Sequence, residues 1–262
     1  MSQSSNVKPK IFICGLSWVR GEWSPTQPVI IHKGLEQYFI DRGYTVINKS
    51  RPRSFHSQIL DMLAQELESK YTDGDIIFFV QTDPMLDVIH PESVELGIKR
   101  TVEQSVSLPK LTKKILDAGG LKNLIKLTQE QIYAKVDSIA KKYNTVIHCI
   151  GGSYNINTTI IEQFSNLNPI VPSWVNLLVG QYKEYHDLVN QPDFGIINTW
   201  GMGYLDVSQF SPELAKQVDK EMSTLTANRV ILNELIFHPD GNHPNREGHK
   251  MLFDYLVKEL NL

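Results

Sequence analysis

Asp240 and His243 stand three residues apart in HPDGNHPNREGHKML, His238 to Leu252, on a Gly- and Pro-rich loop that opens a helix. At that spacing a loop can present both side chains in one place. The carboxylate then accepts from one imidazole nitrogen and fixes the tautomer, while the other nitrogen takes a proton from a hydroxyl. A hydroxyl stands near the other end of the chain, in ICGLSWVRGE, Ile13 to Glu22, where an apolar run meets Gly15 and Ser17. Asp-x-x-His alone is a weak pattern, because a hydrogen-bonded loop has the same letters. A serine at the end of a strand is what gives it chemical content.

The elements that must position these residues are legible as alternating short apolar runs and longer helical periods. Lys10 to Cys14, Thr45 to Asn48, Asp75 to Gln81 and Thr145 to Ile150 are near-continuous hydrophobic, as strands buried on both faces are. Gly34 to Arg42, Ser57 to Lys70 and Leu124 to Lys142 repeat apolar residues every three or four positions and read as helices. Parallel strands joined by right-handed crossovers follow. The expected fold is a three-layer α/β/α sandwich with a flavodoxin-like sheet of about five strands. Ser17 then emerges at the carboxyl edge, where open α/β sheets place their sites, and the helix from Asn245 to Leu260 brings its leading loop to the same edge. Ser211 to Leu235 also has a helical pattern.

The 262 residues read as one domain, 1–262, with Pro84 to Gly120 as an insertion that either lies over the site as a lid or is an ordinary helical excursion. A net charge of -3 with 41% hydrophobic and 21% charged residues describes a globular chain with no general attraction for phosphate backbones or anionic lipid. No nucleic acid and no membrane are expected as partners. The polar N-terminus lacks a signal-peptide core, and no run approaches a membrane span. A cytoplasmic location, or one within an exported particle, is the expectation. Cys14 and Cys149 fall in strand-like runs and read as buried thiols.

The eight histidines show neither HxH nor HExxH spacing, so no metal is expected, although Asp83 and Asp87 in QTDPMLD have ligand chemistry, and Asp83 before Pro84 also has the chemistry of a helix cap. No G-x-G-x-x-G follows the first strand, which disfavours a dinucleotide, and no cofactor is expected. His148, inside a strand run, reads as a satisfied core residue. Trp18, Arg20, Trp174, Tyr182, Tyr185 and Trp200 either line a pocket suited to a sugar ester or are core.

Read together, the two ends of the chain resemble the SGNH, or GDSL, hydrolase family, which joins a Gly-Asp-Ser motif after its first strand to an Asp-x-x-His motif before its last helix. Asp240, Gly241, Asn242, His243, Pro244, Asn245, Gly248 and His249 match the terminal block. The resemblance implies a serine ester hydrolase working through an acyl-serine on a small acyl or acetyl ester, a carbohydrate ester among them. Ser17 would be nucleophile, His243 general base and Asp240 its orienting partner, with the Ser17 N–H in the oxyanion hole. The chain departs from the family in three places. Leu16 replaces the motif aspartate, Arg53 and Ser54 stand where an oxyanion glycine is expected, and Thr82 stands where the family has asparagine. Gln81, Thr82, Arg53, Ser54 and Asn155 are the candidates to replace those donors. One donor is typically worth about 10²–10³ in turnover, so the departures also admit a second reading, a weakened member that keeps its pocket to bind a glycan or another ligand.

Overall fold

A computed structural model describes residues 8–24, 29–52, 54–89, 108–152, 154–179 and 243–262. Five strands form one parallel sheet: β1 (Ile11–Cys14), β4 (Val46–Asn48), β5 (Ile76–Gln81), β6 (Ile147–Gly151) and β7 (Leu167–Val171), in the order β4-β1-β5-β6-β7. Two further short strands, β2 (Glu22–Trp23) and β3 (Ile30–His32), pair antiparallel as a separate ribbon. The helices are α1 (Leu35–Asp41), α2 (His56–Lys70), α3 (Met85–Ile89), α4 (Leu108–Asp117), α5 (Leu121–Lys142), α6 (Thr158–Ile161), α7 (Trp174–Val179) and α8 (Arg246–Leu260).

Alternation along the central strands divides the core in two. Ile11, Ile13, Phe78, Val80 and Ile150 face α1, α7 and α8. Phe12, Cys14, Ile77, Phe79, Ile147 and Cys149 face α2, α5 and α6. With helices on both faces, β1 is buried throughout and β5 and β6 are buried at all but one residue each, which is why they read as near-continuous apolar runs. This is the three-layer α/β/α sandwich expected, and its strand order is the flavodoxin-like one.

The order also locates the crevice. From β1 the chain goes first to β4 on one side and then crosses to β5 on the other, so β1 and β5 flank the switch point where open sheets bind ligands. Ser17 follows β1 and Thr82 follows β5.

Cys14 and Cys149 are both buried and free, and burial pushes both thiols up. Each pairs in register with Phe79 of the intervening β5. Two strand spacings, about 10 Å, separate them, well beyond what a disulfide spans. Among the described residues, no helix is long and apolar enough to cross a membrane, and no group of three or more His, Cys, Asp and Glu is placed to hold a metal ion. Asp240, Arg53, much of the Pro84 to Gly120 insertion and the helix expected over Ser211 to Leu235 lie outside the described residues.

Candidate active site

Ser17 opens a single 3-10 turn, Ser17–Val19, closed by the Arg20 N–H donating to the Ser17 carbonyl at 3.1 Å. Its neighbours hold it from both sides. Leu16 is buried in the core beneath α2 and α5, whereas Trp18 and Val19 are buried in the opposite core. Ser17, partly exposed, sits astride the sheet's edge between two anchors. Leu16 fixes the loop by burial, worth about 2 kcal/mol for a side chain of that size. Gly15 is required by close approach, since a Cβ there would come within 2.6 Å of Val19 Cγ2 and 3.1 Å of the Val80 carbonyl.

The terminal block docks onto this same segment by two routes. Trp18 packs edge-on against Trp174 with centroids 5.5 Å apart. Trp174 in turn packs edge-on against His249 at 5.1 Å and donates its indole N–H to the Gly248 carbonyl at 3.2 Å. Along the ribbon, the Glu22 carboxylate pairs with Arg246 at 2.7 Å and the Trp23 ring lies 5.9 Å from His243. Asn245, accepting from the Gly248 N–H at 2.9 Å, is the N-cap of α8 and sets where the loop carrying His243 ends. The two ends of the sequence therefore meet at one edge, with His243 beside the strand that follows Ser17.

His249 lies on α8 and is fully buried. Its Nδ1 accepts from the Leu35 N–H at 3.3 Å, capping α1 from another helix. Gly34, at φ +57°, leaves room for the ring, which a Cβ there would approach to 2.6 Å. Burial above all, then the nearby His32 and His243, outweigh the Gly21 carbonyl and lower the pKa of His249 to about 3. Its Nε2 is buried near that carbonyl, short of a well-formed hydrogen bond.

The oxyanion candidates that can be placed are all close to the carboxyl edge, and most of their polar groups are engaged. The Ser54 hydroxyl is hydrogen-bonded to Gln58 Oε1. Gln81, fully buried, donates from Nε2 to the Asn155 carbonyl at 3.1 Å, and Gln129 donates to that carbonyl at 3.0 Å. Tyr133, its phenol pushed up by burial, accepts from the Asn157 N–H at 3.1 Å and completes this polar cluster under the edge. Thr82 differs. Its backbone N–H is taken by a side chain, and its hydroxyl is buried with no hydrogen-bond partner. An unsatisfied buried hydroxyl costs about 1–3 kcal/mol.

The side chain that takes the Thr82 N–H is His56, which the sequence pattern did not single out. His56 is fully buried at the first turn of α2, with Nε2 3.1 Å from the Thr82 nitrogen and Nδ1 2.5 Å from Asp87 Oδ2. Asp87 also accepts from the backbone N–H groups of His56 and Ser57 at 3.1 and 3.0 Å, capping α2 from α3 where Phe55 at the N-cap position offers no side-chain oxygen. Burial would raise the Asp87 pKa, but His56 and the two backbone donors outweigh it and lower it. Residues 31 positions apart carry no local signal of this pairing. His148, expected as a satisfied core residue, is only partly buried in β6, with Nδ1 3.1 Å from the Asn168 amide.

No protein-family model matches this chain, and no curated protein matches it. Among solved structures it is similar to a lipase/acylhydrolase from Enterococcus faecalis at 16% identity and TM-score 0.38, covering 97% of this chain and 95% of that one. It is also similar to an acetylxylan esterase from Geobacillus stearothermophilus, solved as a catalytic mutant, at 12% identity and TM-score 0.40, covering 97% of this chain and 94% of that one. Likeness at this level leaves the chemistry to be argued from the residues themselves.

Proposed function

We propose that the chain is a serine-dependent ester hydrolase of the SGNH type, acting on a small acyl or acetyl ester, carbohydrate esters included. The observation that carries this reading is the docking of the His243 block onto the segment that follows Ser17, at the sheet's switch point. Ser17 Oγ attacks the ester carbonyl carbon while His243 takes its proton, and Asp240 holds the imidazole in the required tautomer. The tetrahedral intermediate, its oxyanion held by N–H and O–H donors at the edge, expels the alcohol, which leaves with the proton from His243. Water deprotonated by His243 then attacks the acyl-serine, releasing the acid and restoring Ser17.

A second reading has its own support. With the Ser54 hydroxyl, the Gln81 amide and the Thr82 N–H all engaged internally, the edge is short of the usual oxyanion donors. A domain that binds a glycan or another ligand without turning it over would tolerate that shortage. Labelling of the purified protein with a fluorophosphonate probe separates the two. The hydrolase reading expects labelling of wild type that is lost in Ser17→Ala and falls at least about 10³-fold in His243→Ala. Folded wild type that does not label, yet binds acetylated oligosaccharide, would replace it with the binding reading.

A further inference from the structure

His56 closes a bridge across the strand that leads to Ser17. It begins α2, in the connection leaving β4, and hydrogen-bonds Thr82 at the end of β5; β4 and β5 are the two neighbours of β1 in the sheet. Because the Thr82 N–H can only donate, His56 Nε2 is the acceptor. Nδ1 therefore carries the hydrogen of the neutral ring and gives it to Asp87. Capping α2 requires only the two backbone N–H bonds to Asp87, so the imidazole bond is additional to capping. Its effect is to fix the tautomer that Thr82 needs.

The same bond decides what Thr82 can offer. Its backbone N–H points into His56, which leaves the hydroxyl, buried and unpartnered, as its remaining donor. The neighbouring Gln81 amide and Ser54 hydroxyl are engaged elsewhere. We infer that His56 and Asp87 are a positioning pair that fixes Thr82 at the switch point so that its side-chain hydroxyl, rather than its backbone N–H, donates to the oxyanion. The inference rests on the hydrolase reading above and assigns the donor that the departed asparagine would have supplied. His56 touches no reacting atom; it acts through Thr82.

The test is a double-mutant cycle in the full chain, read as kcat and KM for p-nitrophenyl acetate, with folding checked by circular dichroism. Thr82→Val keeps the shape and removes the hydroxyl. It is expected to lower kcat about 10²-fold with KM within about twofold of wild type, and Thr82→Ser is expected to restore most of the loss. His56→Leu removes the acceptor for the Thr82 N–H and is expected to lower kcat about tenfold, as loss of orientation rather than of a reacting group does. His56→Gln, which keeps an acceptor, recovers part of it. If His56 acts only through the hydroxyl, His56→Leu costs nothing further in the Thr82→Val background.

Wild-type turnover in Thr82→Val, or losses that multiply independently in the double variant, would overturn the inference. Should His56→Leu fail to fold, the Thr82 series together with His56→Gln carries the same decision. The underlying reading fails differently. Hydrolysis that survives Ser17→Ala, or wild type that neither labels nor hydrolyses, sinks both, whereas an inert Ser17→Ala beside a fully active Thr82→Val sinks this inference alone.

Discussion

His56 and His249 are both fully buried and both accept a backbone N–H, yet they are held in opposite ways. His56 gives its other nitrogen to a carboxylate that is itself pinned by two backbone donors. His249 has no carboxylate, and its other nitrogen lies near the Gly21 carbonyl without a good hydrogen bond. In the first region a charged partner fixes the tautomer. In the second, burial above all, with His32 and His243 nearby, keeps the ring neutral by making its protonated form costly, and its pKa falls to about 3. Acid is therefore the condition that tells the two apart.

The largest effect expected is at His249. Its folded pKa of about 3 lies below the value of about 6.5 for an unfolded histidine. A group depressed in this way contributes stability that is fully present above pH 6.5 and is lost as the pH falls toward 3, because the unfolded chain takes up the proton first. The slope is about 1.4 kcal/mol per pH unit, approaching 4–5 kcal/mol at pH 3. Urea denaturation from pH 7.5 to 3.5 of wild type and His249→Gln should give curves that converge as pH falls. Parallel curves would mean that the ring is not held neutral by burial, and the contrast with His56 would collapse.

Asp87→Ala comes next. It removes the carboxylate from His56 Nδ1 and from two backbone N–H groups at the start of α2, a loss of about 3 kcal/mol near pH 7. Here too the folded pKa is lowered, but from a carboxylate's starting point. The stabilisation is present above about pH 4 and disappears only below it as the carboxylate protonates. The difference between wild type and Asp87→Ala should hold steady from pH 7 to 5, the range over which the His249 difference is already shrinking. A difference that shrinks in the same window for both would show the two sites titrating as one unit.

The same contrast explains what was legible in the sequence. β1, β5 and β6 stand out because strands covered on both faces are apolar almost without interruption, whereas β4, half-buried at one edge of the sheet, shows only as the short run Val46–Asn48. β7, reading LNPIV, lies at the sheet's edge with Asn168, Pro169 and Ile170 only partly buried, and an edge strand tolerates the proline that hides it. The β2–β3 ribbon is too short for any period to emerge. Ser17 and the terminal block were legible because each carries a local motif, at a strand end or ahead of a helix. Thr82 and Asp87 each stand out on their own letters, but their link through His56 does not, since that relation exists only across the sheet. The letters offer Asp87 as a ligand and Asp83 as a cap, yet it is Asp87 that caps a helix, and one outside its own segment. Leu16, which has no chemistry of its own to mark it between Gly15 and Ser17, is explained once the core it fills is seen.

The smallest effect expected sharpens the comparison from the His249 side. Asn245, two residues after His243, starts α8 by accepting from the N–H of Gly248, the residue just before His249. Asn245→Ala should cost about 1 kcal/mol, the usual worth of an N-cap, and Asn245→Asp should keep most of it. If the cap also sets the path of the His243 loop, Asn245→Ala should slow fluorophosphonate labelling at Ser17 under conditions where the protein remains fully folded, and Asn245→Asp should not. A stability loss with labelling unchanged would mean that the loop is held by its ribbon contacts, Glu22 to Arg246 and Trp23 to His243, and that the cap serves the helix alone. The double variant Glu22→Gln with Asn245→Ala would then be the one in which labelling falls, because it removes both supports from the same end of α8.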